Sequence, residues 1–184
     1  MPLFNKLVGV IQLNIIEASM SQINLTAINE EEEFDDIGSF NHSTVQANLA
    51  YLLKRIGKYT VSVELSLDSS SLDKSKFNVG DELIPDLCIY PKRKLLSPFD
   101  ILKMQDMPLM IAEVLSFRQF QSSLIKKFEA YFALGVKSCW LVDPVTRSIH
   151  VFSSINDWQT FSIEDELKDE NFGIQFPVAE VFSD

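Results

Sequence analysis

An acidic residue set in an apolar run constrains this chain more than any other feature. Leu109 to Leu115 reads LMIAEVL. A nearly continuous apolar stretch of this kind marks a strand buried on both faces, in a sheet covered above and below. Glu113 interrupts it. Burying an ionised carboxylate without a partner costs on the order of several kcal/mol. Glu113 therefore requires a metal ion, a cationic side chain or a proton. Position alone leaves two readings open: a functional site, or an ion pair with a buried Lys or Arg that serves packing.

The surrounding sequence supplies the elements such a strand needs. Val45, Leu49, Leu52, Leu53 and Ile56 recur at helical spacing, and Gly57 follows. They predict a helix from about Ser43 to Arg55, capped by Asn41-His42-Ser43. Tyr59 to Leu67 alternates apolar and polar residues and reads as a strand. Asp68 to Lys76 is a Ser-rich turn. Leu83 to Tyr90 (LIPDLCIY) reads as the next strand, with Pro85 at a bulge or an edge because it lacks an N–H. Pro91 to Met107 is a loop. Arg118 to Leu134 forms a helix ended by Gly135. Lys137 to Val142 is a strand, Asp143-Pro144-Val145-Thr146 a turn, and Ser148 to Phe152 the returning strand. Trp158 to Ile163 offers one more, before an acidic tail from Glu164. The order predicts an α/β fold, a mixed β-sheet flanked by helices.

The 184 residues suit one domain, expected over 38–184. Residues 1–37 read as an N-terminal arm with mixed periodicity and an EEEEFDD charge run, which reads as solvated rather than metal-binding. Leu7 to Ile16 is apolar but contains Gln12 and Asn14 and lacks a clean cleavage site, so a strand or arm is preferred to a signal peptide. Met20 is an alternative translation start. No apolar run reaches the roughly 20 residues needed to span a bilayer. Cys88 and Cys139 lie inside apolar runs with no CxxC spacing. They read as buried reduced thiols, which favours the cytoplasm.

The net charge is −10, which argues against a nucleic-acid partner. The distribution softens this. From Asp86 to His150 there are nine basic and six acidic residues, a net of +3, so the remainder carries −13.

Asp86 is the second carboxylate of interest. It follows Pro85 in a predicted strand, where Asp is depleted. By itself it is either a turn cap or a ligand. If the two strands pair as a long hairpin, Asp86 and Glu113 lie opposite on one face, roughly 5 Å apart at Cβ. Two carboxylates that close repel unless a cation lies between them, and Mg²⁺ favours one or two such groups plus water and phosphate oxygens. On the following helix Phe117, Phe120, Leu124, Phe128 and Tyr131 form one stripe. At about 100° per residue Lys127 falls on its border and Lys126 on the solvent side. Lys127 can thus reach over the apolar face toward Glu113. There it could orient a water or stabilise developing negative charge; otherwise it is an ordinary surface charge.

The ordered set IPDLCIY, PLMIAEVLS, KKFEAYFALGV and CWLVDP resembles the Uma2 restriction endonuclease family of the PD-(D/E)XK nuclease superfamily. The likeness covers about residues 38–152. It implies a restriction-endonuclease-like fold, a metal-dependent endonuclease acting on DNA rather than RNA, and Mg²⁺ or Mn²⁺ as cofactor. It assigns Asp86 and Glu113 to the metal and Lys127 to catalysis with them. The superfamily expects Lys two places after the Glu, where this chain has Leu115; the helix lysine stands in. His42 matches a family histidine whose role the resemblance does not assign; a capping or surface histidine is the plainer reading. Ser123 and Ser138-Cys139 depart from the family pattern. Asp143 and Pro144 match a family motif but read as turn formers, and Ser116 is placed to support the site.

Three functions compete. The first is the metal-dependent endonuclease, with a homodimer expected because cutting two strands favours two sites. The second is a catalytically inactive nuclease-fold module for binding or assembly, favoured by the net charge and the substituted positions. The third, an unrelated hydrolase, lacks G-x-S-x-G, H-E-x-x-H, P-loop or G-x-G-x-x-G motifs.

Overall fold

The computed structural model describes residues 39–95, 98–116 and 121–183. The expected arm at 1–37 and the start of the second long helix, including Phe117, Arg118 and Phe120, lie outside the described residues.

Helix α1 (Phe40–Ile56) leads into strand β1 (Tyr59–Val63). It starts earlier than its apolar spacing suggested. Ser39 is the N-cap, and its hydroxyl accepts the His42 backbone N–H at 3.3 Å. Gly57 closes the helix at φ +74°, a left-handed turn that glycine enters without a Cβ clash. Val45, Leu49, Leu52 and Leu53 are buried, each contributing roughly 1.5–3 kcal/mol on the scale of apolar side-chain transfer.

The stretch expected as one strand from Leu83 to Tyr90 is split. Strand β3 (Glu82–Leu83) pairs with the short β2 (Leu67–Asp68), and β4 (Leu87–Pro91) begins after a break at Ile84-Pro85-Asp86. Pro85 explains the break: it donates no ladder bond and restricts Ile84 before it. The first strand also stops short of Leu67, because Glu64 takes a left-handed φ of +50°. The Ser-rich turn contains a one-turn helix α2 (Lys74–Phe77), whose N-cap Asp73 accepts the Ser75 and Lys76 N–H groups.

Beyond β5 (Met110–Val114) come α3 (Gln121–Leu134), β6 (Ser138–Asp143), β7 (Ser148–Ser154) and β8 (Asp157–Ser162). The sheet order is β1-β4-β5-β6-β7-β8. Every pairing is antiparallel except β5–β6, which α3 joins as a parallel crossover. All five residues of β5 are buried, as its apolar run required. Met110, Ala112 and Val114 face one core with Leu49, Leu53, Trp140 and Val142. Ile111 faces the other, with Leu124, Phe128, Tyr131 and Cys139. The acidic tail forms a hairpin, β9 (Glu166–Asp169) and β10 (Ile174–Pro177), whose Leu167, Ile174 and Phe176 complete the first core. The turn after β6 is as its residues suggested: Asp143 Oδ1 accepts the Val145 and Thr146 N–H groups at 2.8 and 3.3 Å.

Cys88 and Cys139 are buried free thiols on the α3 side of the sheet. Burial pushes the Cys88 thiol up to about 12, leaving it inert as a nucleophile. No helix among the described residues is long and apolar enough to cross a membrane.

Candidate active site

The register of β4 on β5 places Leu87 opposite Ala112 and Cys88 opposite Ile111. One step further along, Asp86 stands opposite Glu113. The ladder does not extend that far. Instead the Asp86 side chain folds onto β5, and its Oδ2 accepts the Val114 N–H at 2.6 Å. The break that Pro85 imposes is thus what frees Asp86 from the strand and presents its carboxylate at the end of the central strands.

Glu113 shares the parity of Ile111, so it faces α3. It is 4% exposed. Its Oε1 accepts the Tyr131 hydroxyl at 2.9 Å and pairs with Lys127 Nζ at 2.8 Å. Tyr131 and Lys127 are four residues apart on α3, hence on one side of the helix. Lys127 Nζ also donates to the Ile84 carbonyl at 3.1 Å, in the strand break itself. Lys126 is exposed, as its angular position implied. The structure therefore brings Asp86, Glu113 and Lys127 together.

Burial drives the Glu113 carboxyl above the usual carboxylate range, and the nearby Asp86 charge pushes the same way. Lys127 and the Tyr131 hydroxyl oppose the rise. Among the described residues Lys127 is the ammonium paired with Glu113, and Asp86 lies beside the same acid. Tyr131 and Lys127 both meet Oε1 of Glu113, and Val114 and His42 both meet Oδ2 of Asp86. Oε2 of Glu113 and Oδ1 of Asp86 take part in none of these bonds. Among the described residues no group of three or more His, Cys, Asp or Glu side chains is arranged to hold a metal. Two adjacent carboxylates nonetheless fit Mg²⁺, which binds through one or two carboxylates and keeps water and phosphate oxygens for the rest.

His42 is neither a cap nor a surface residue, as sequence reasoning preferred. It is largely buried in the first turn of α1, and its Nε2 lies 3.2 Å from Asp86 Oδ2. That hydrogen bond raises the imidazole above its ordinary value, against the opposing effect of burial. Among the described residues its buried Nδ1 has no hydrogen-bond partner. One turn on, Gln46 Nε2 donates to the Asp86 carbonyl at 3.0 Å and to Glu64 Oε1 at 3.4 Å. The Glu64 N–H reaches the same carbonyl at 3.2 Å. Gln46 and the Tyr131 hydroxyl were missed from the sequence. Each sits in an apolar helical pattern whose periodicity reports a face, not the target of a polar atom. Ser116 lies two residues past the end of β5.

A sheet of this order with an Asp–Glu–Lys cluster at the ends of its central strands defines a nuclease-like α/β fold. A family model described as "Putative restriction endonuclease" matches residues 25–179, most of the chain, and the protein belongs to this family, Uma2. Among solved structures it is similar to one described as a "putative nuclease belonging to DUF820" from Anabaena variabilis ATCC 29413. The two share 17% identity and a TM-score of 0.62, over 78% of this chain and 81% of that one. At that identity the likeness speaks for the fold. No curated protein matches the chain.

Proposed function

We propose that the protein is a metal-dependent endonuclease that hydrolyses phosphodiester bonds of DNA. The observation that carries this reading is the 2.8 Å contact of Lys127 with Glu113, in a cluster where Asp86 stands beside the same acid. Family membership supports the same chemistry, as does the nuclease description of the structural neighbour. Asp86 and Glu113 would hold Mg²⁺ or Mn²⁺. When bound, such an ion supplies Lewis acidity toward a phosphoryl oxygen and lowers the pKa of water.

The chain's own residues do the rest. Tyr131 and Lys127 fix Glu113 Oε1, so the carboxylate does not swing away when the site fills. The Ile84 carbonyl holds the Lys127 ammonium at the mouth of the strand break. From there the ammonium can stabilise charge that develops on the phosphoryl group, or orient the attacking water. Leu115 stands where the superfamily lysine would, and α3 offers an ammonium to the same acid instead.

The net charge of −10 favours a second reading, a non-catalytic module of the same fold. Plasmid cleavage with Mg²⁺ separates the two. Nicking or linearisation by the wild type, lost in Glu113→Gln and Lys127→Met, is the expected result. Wild-type protein that cuts neither DNA nor RNA with Mg²⁺ or Mn²⁺ would leave the module. Light scattering of the same preparation tests the homodimer expected of an enzyme that cuts both strands.

A further inference from the structure

Asp86 is gripped by one face of α1. His42 and Gln46 are four residues apart and project from the same side of the helix. His42 Nε2 reaches the side-chain Oδ2 at 3.2 Å, and Gln46 Nε2 reaches the main-chain carbonyl at 3.0 Å. The Glu64 N–H, at 3.2 Å, adds a second donor to that carbonyl, and Gln46 ties back to the Glu64 side chain. Asp86 lies outside the paired residues of β4, so its backbone rests on these contacts. These contacts replace what the ladder would have provided.

We propose that His42 is a positioning residue for the metal-binding carboxylate. With Gln46 it clamps Asp86 at side chain and main chain together, committing Oδ2 to His42 and Val114 and leaving Oδ1 for the cation shared with Glu113. The inference rests on the metal reading of Asp86 given above.

A packing role alone explains the imidazole poorly. Its buried Nδ1 has no partner among the described residues, and an unsatisfied buried nitrogen offsets much of what the bond from Nε2 contributes. Leucine would fill similar space without an orphaned atom. Glutamine would place an amide nitrogen near the position of Nε2 and so keep a donor for Asp86. His42 thus adds little net stability, and its contribution lies in where it holds Asp86. Polar groups that orient a metal ligand typically change metal affinity or activity by about 10–100-fold when removed.

Three forms of the full chain test the clamp: wild type, His42→Leu and His42→Gln. Each is titrated with Mn²⁺ by calorimetry and melted in chelator. The expected result is Mn²⁺ affinity about 10–100-fold weaker in His42→Leu, recovery of most of it in His42→Gln, and melting temperatures close to wild type for both. Equal affinity in His42→Leu and wild type would overturn the clamp, as would a glutamine variant as weak as the leucine one. Should a variant fold poorly, long-range ¹⁵N spectra of the His42 ring in metal-free wild type decide. A proton on Nε2 supports the clamp, and a bare Nε2 overturns it. Absence of Mn²⁺ binding by the wild type is a different failure, because it overturns the reading of the acid pair itself.

Discussion

Glu113 and Asp169 are nearly equally buried, at 4% and 2% exposure, yet they are satisfied in opposite ways. Asp169 ends β9, and among the described residues the hydrogen-bond donors to its side chain are neutral. Its Oδ2 accepts the Ser138 hydroxyl at 2.8 Å and the Trp140 indole N–H at 3.0 Å, and Oδ1 accepts the Asn171 N–H at 3.1 Å. The Trp140 N–H also reaches the Ser138 hydroxyl at 3.0 Å. That cluster is closed: it ties the C-terminal hairpin to the central strand β6. Glu113 has an ammonium on one oxygen and a second acid across the strand gap. Its cluster gathers charged groups, Lys127, Asp86 and His42, at the sheet end. Burial by itself does not distinguish the two acids; the company of a second acid and an ammonium does.

The comparison breaks most sharply at Glu113. Replacing it with Gln should abolish Mn²⁺ binding and reduce Mg²⁺-dependent cleavage by more than the roughly 100-fold typical of supporting residues. The fold should survive, because an amide in that place no longer carries a disfavoured charge. Calorimetry, a cleavage assay and melting in chelator check the three parts. A marked fall in the melting temperature would place Glu113 with Asp169 as a structural acid.

At Asp169 the expected pattern is inverted. Asp169→Ala leaves the buried Ser138 hydroxyl without its acceptor and the Trp140 N–H with Ser138 Oγ alone, and it frees the Asn171 N–H, which together should cost about 3 kcal/mol. For a chain of this size that lowers the melting temperature by roughly 6–12 °C. Mn²⁺ affinity should stay as in the wild type, and a parallel loss of metal would erase the distinction between the two acids.

A smaller effect is expected at Tyr131. Tyr131→Phe removes one neutral donor to Glu113 Oε1 and should cost about 1 kcal/mol of stability. It should also weaken Mn²⁺ binding, since Glu113 then ionises less readily. Unchanged binding would show that Lys127 alone holds the acid.

The smallest signal is the pH dependence of the metal-free protein. The Glu113 carboxyl is raised in the folded state, so the fold binds its proton more tightly than the unfolded chain does. Its ionised form opposes folding at neutral pH. That penalty is relieved as pH falls through the folded value toward the ordinary value of 4.5. Melting curves in chelator should therefore differ between wild type and Glu113→Gln in this sense, with the wild type gaining on the variant as pH drops. A difference of the opposite sign would mean that Lys127 outweighs burial.

Much of the fold was legible because it rests on local pattern. The five buried residues of β5 follow from an uninterrupted apolar run. The Asp143 turn follows from residues that bond their own neighbours. The strand break at Pro85 was half legible: the missing N–H predicted an irregularity, but its use in releasing Asp86 needed the position of β5. The Asp169 cluster was not legible at all. Its partners Ser138 and Trp140 are 31 and 29 residues away, and Ser138 had drawn notice only as a departure from a family pattern.

From sequence alone came the element types, the two-sided burial of β5 and the candidacy of Asp86, Glu113 and Lys127. Periodicity and the cost of burying charge act on neighbours along the chain, so they can be read there. Which nitrogen meets which oxygen was decided only by tertiary structure. His42 and Gln46 close on Asp86, and Tyr131 on Glu113, because each helix crosses a strand end at one particular rotation. A hydrogen bond is lost over a fraction of an ångström, and no local pattern specifies a long-range distance that finely.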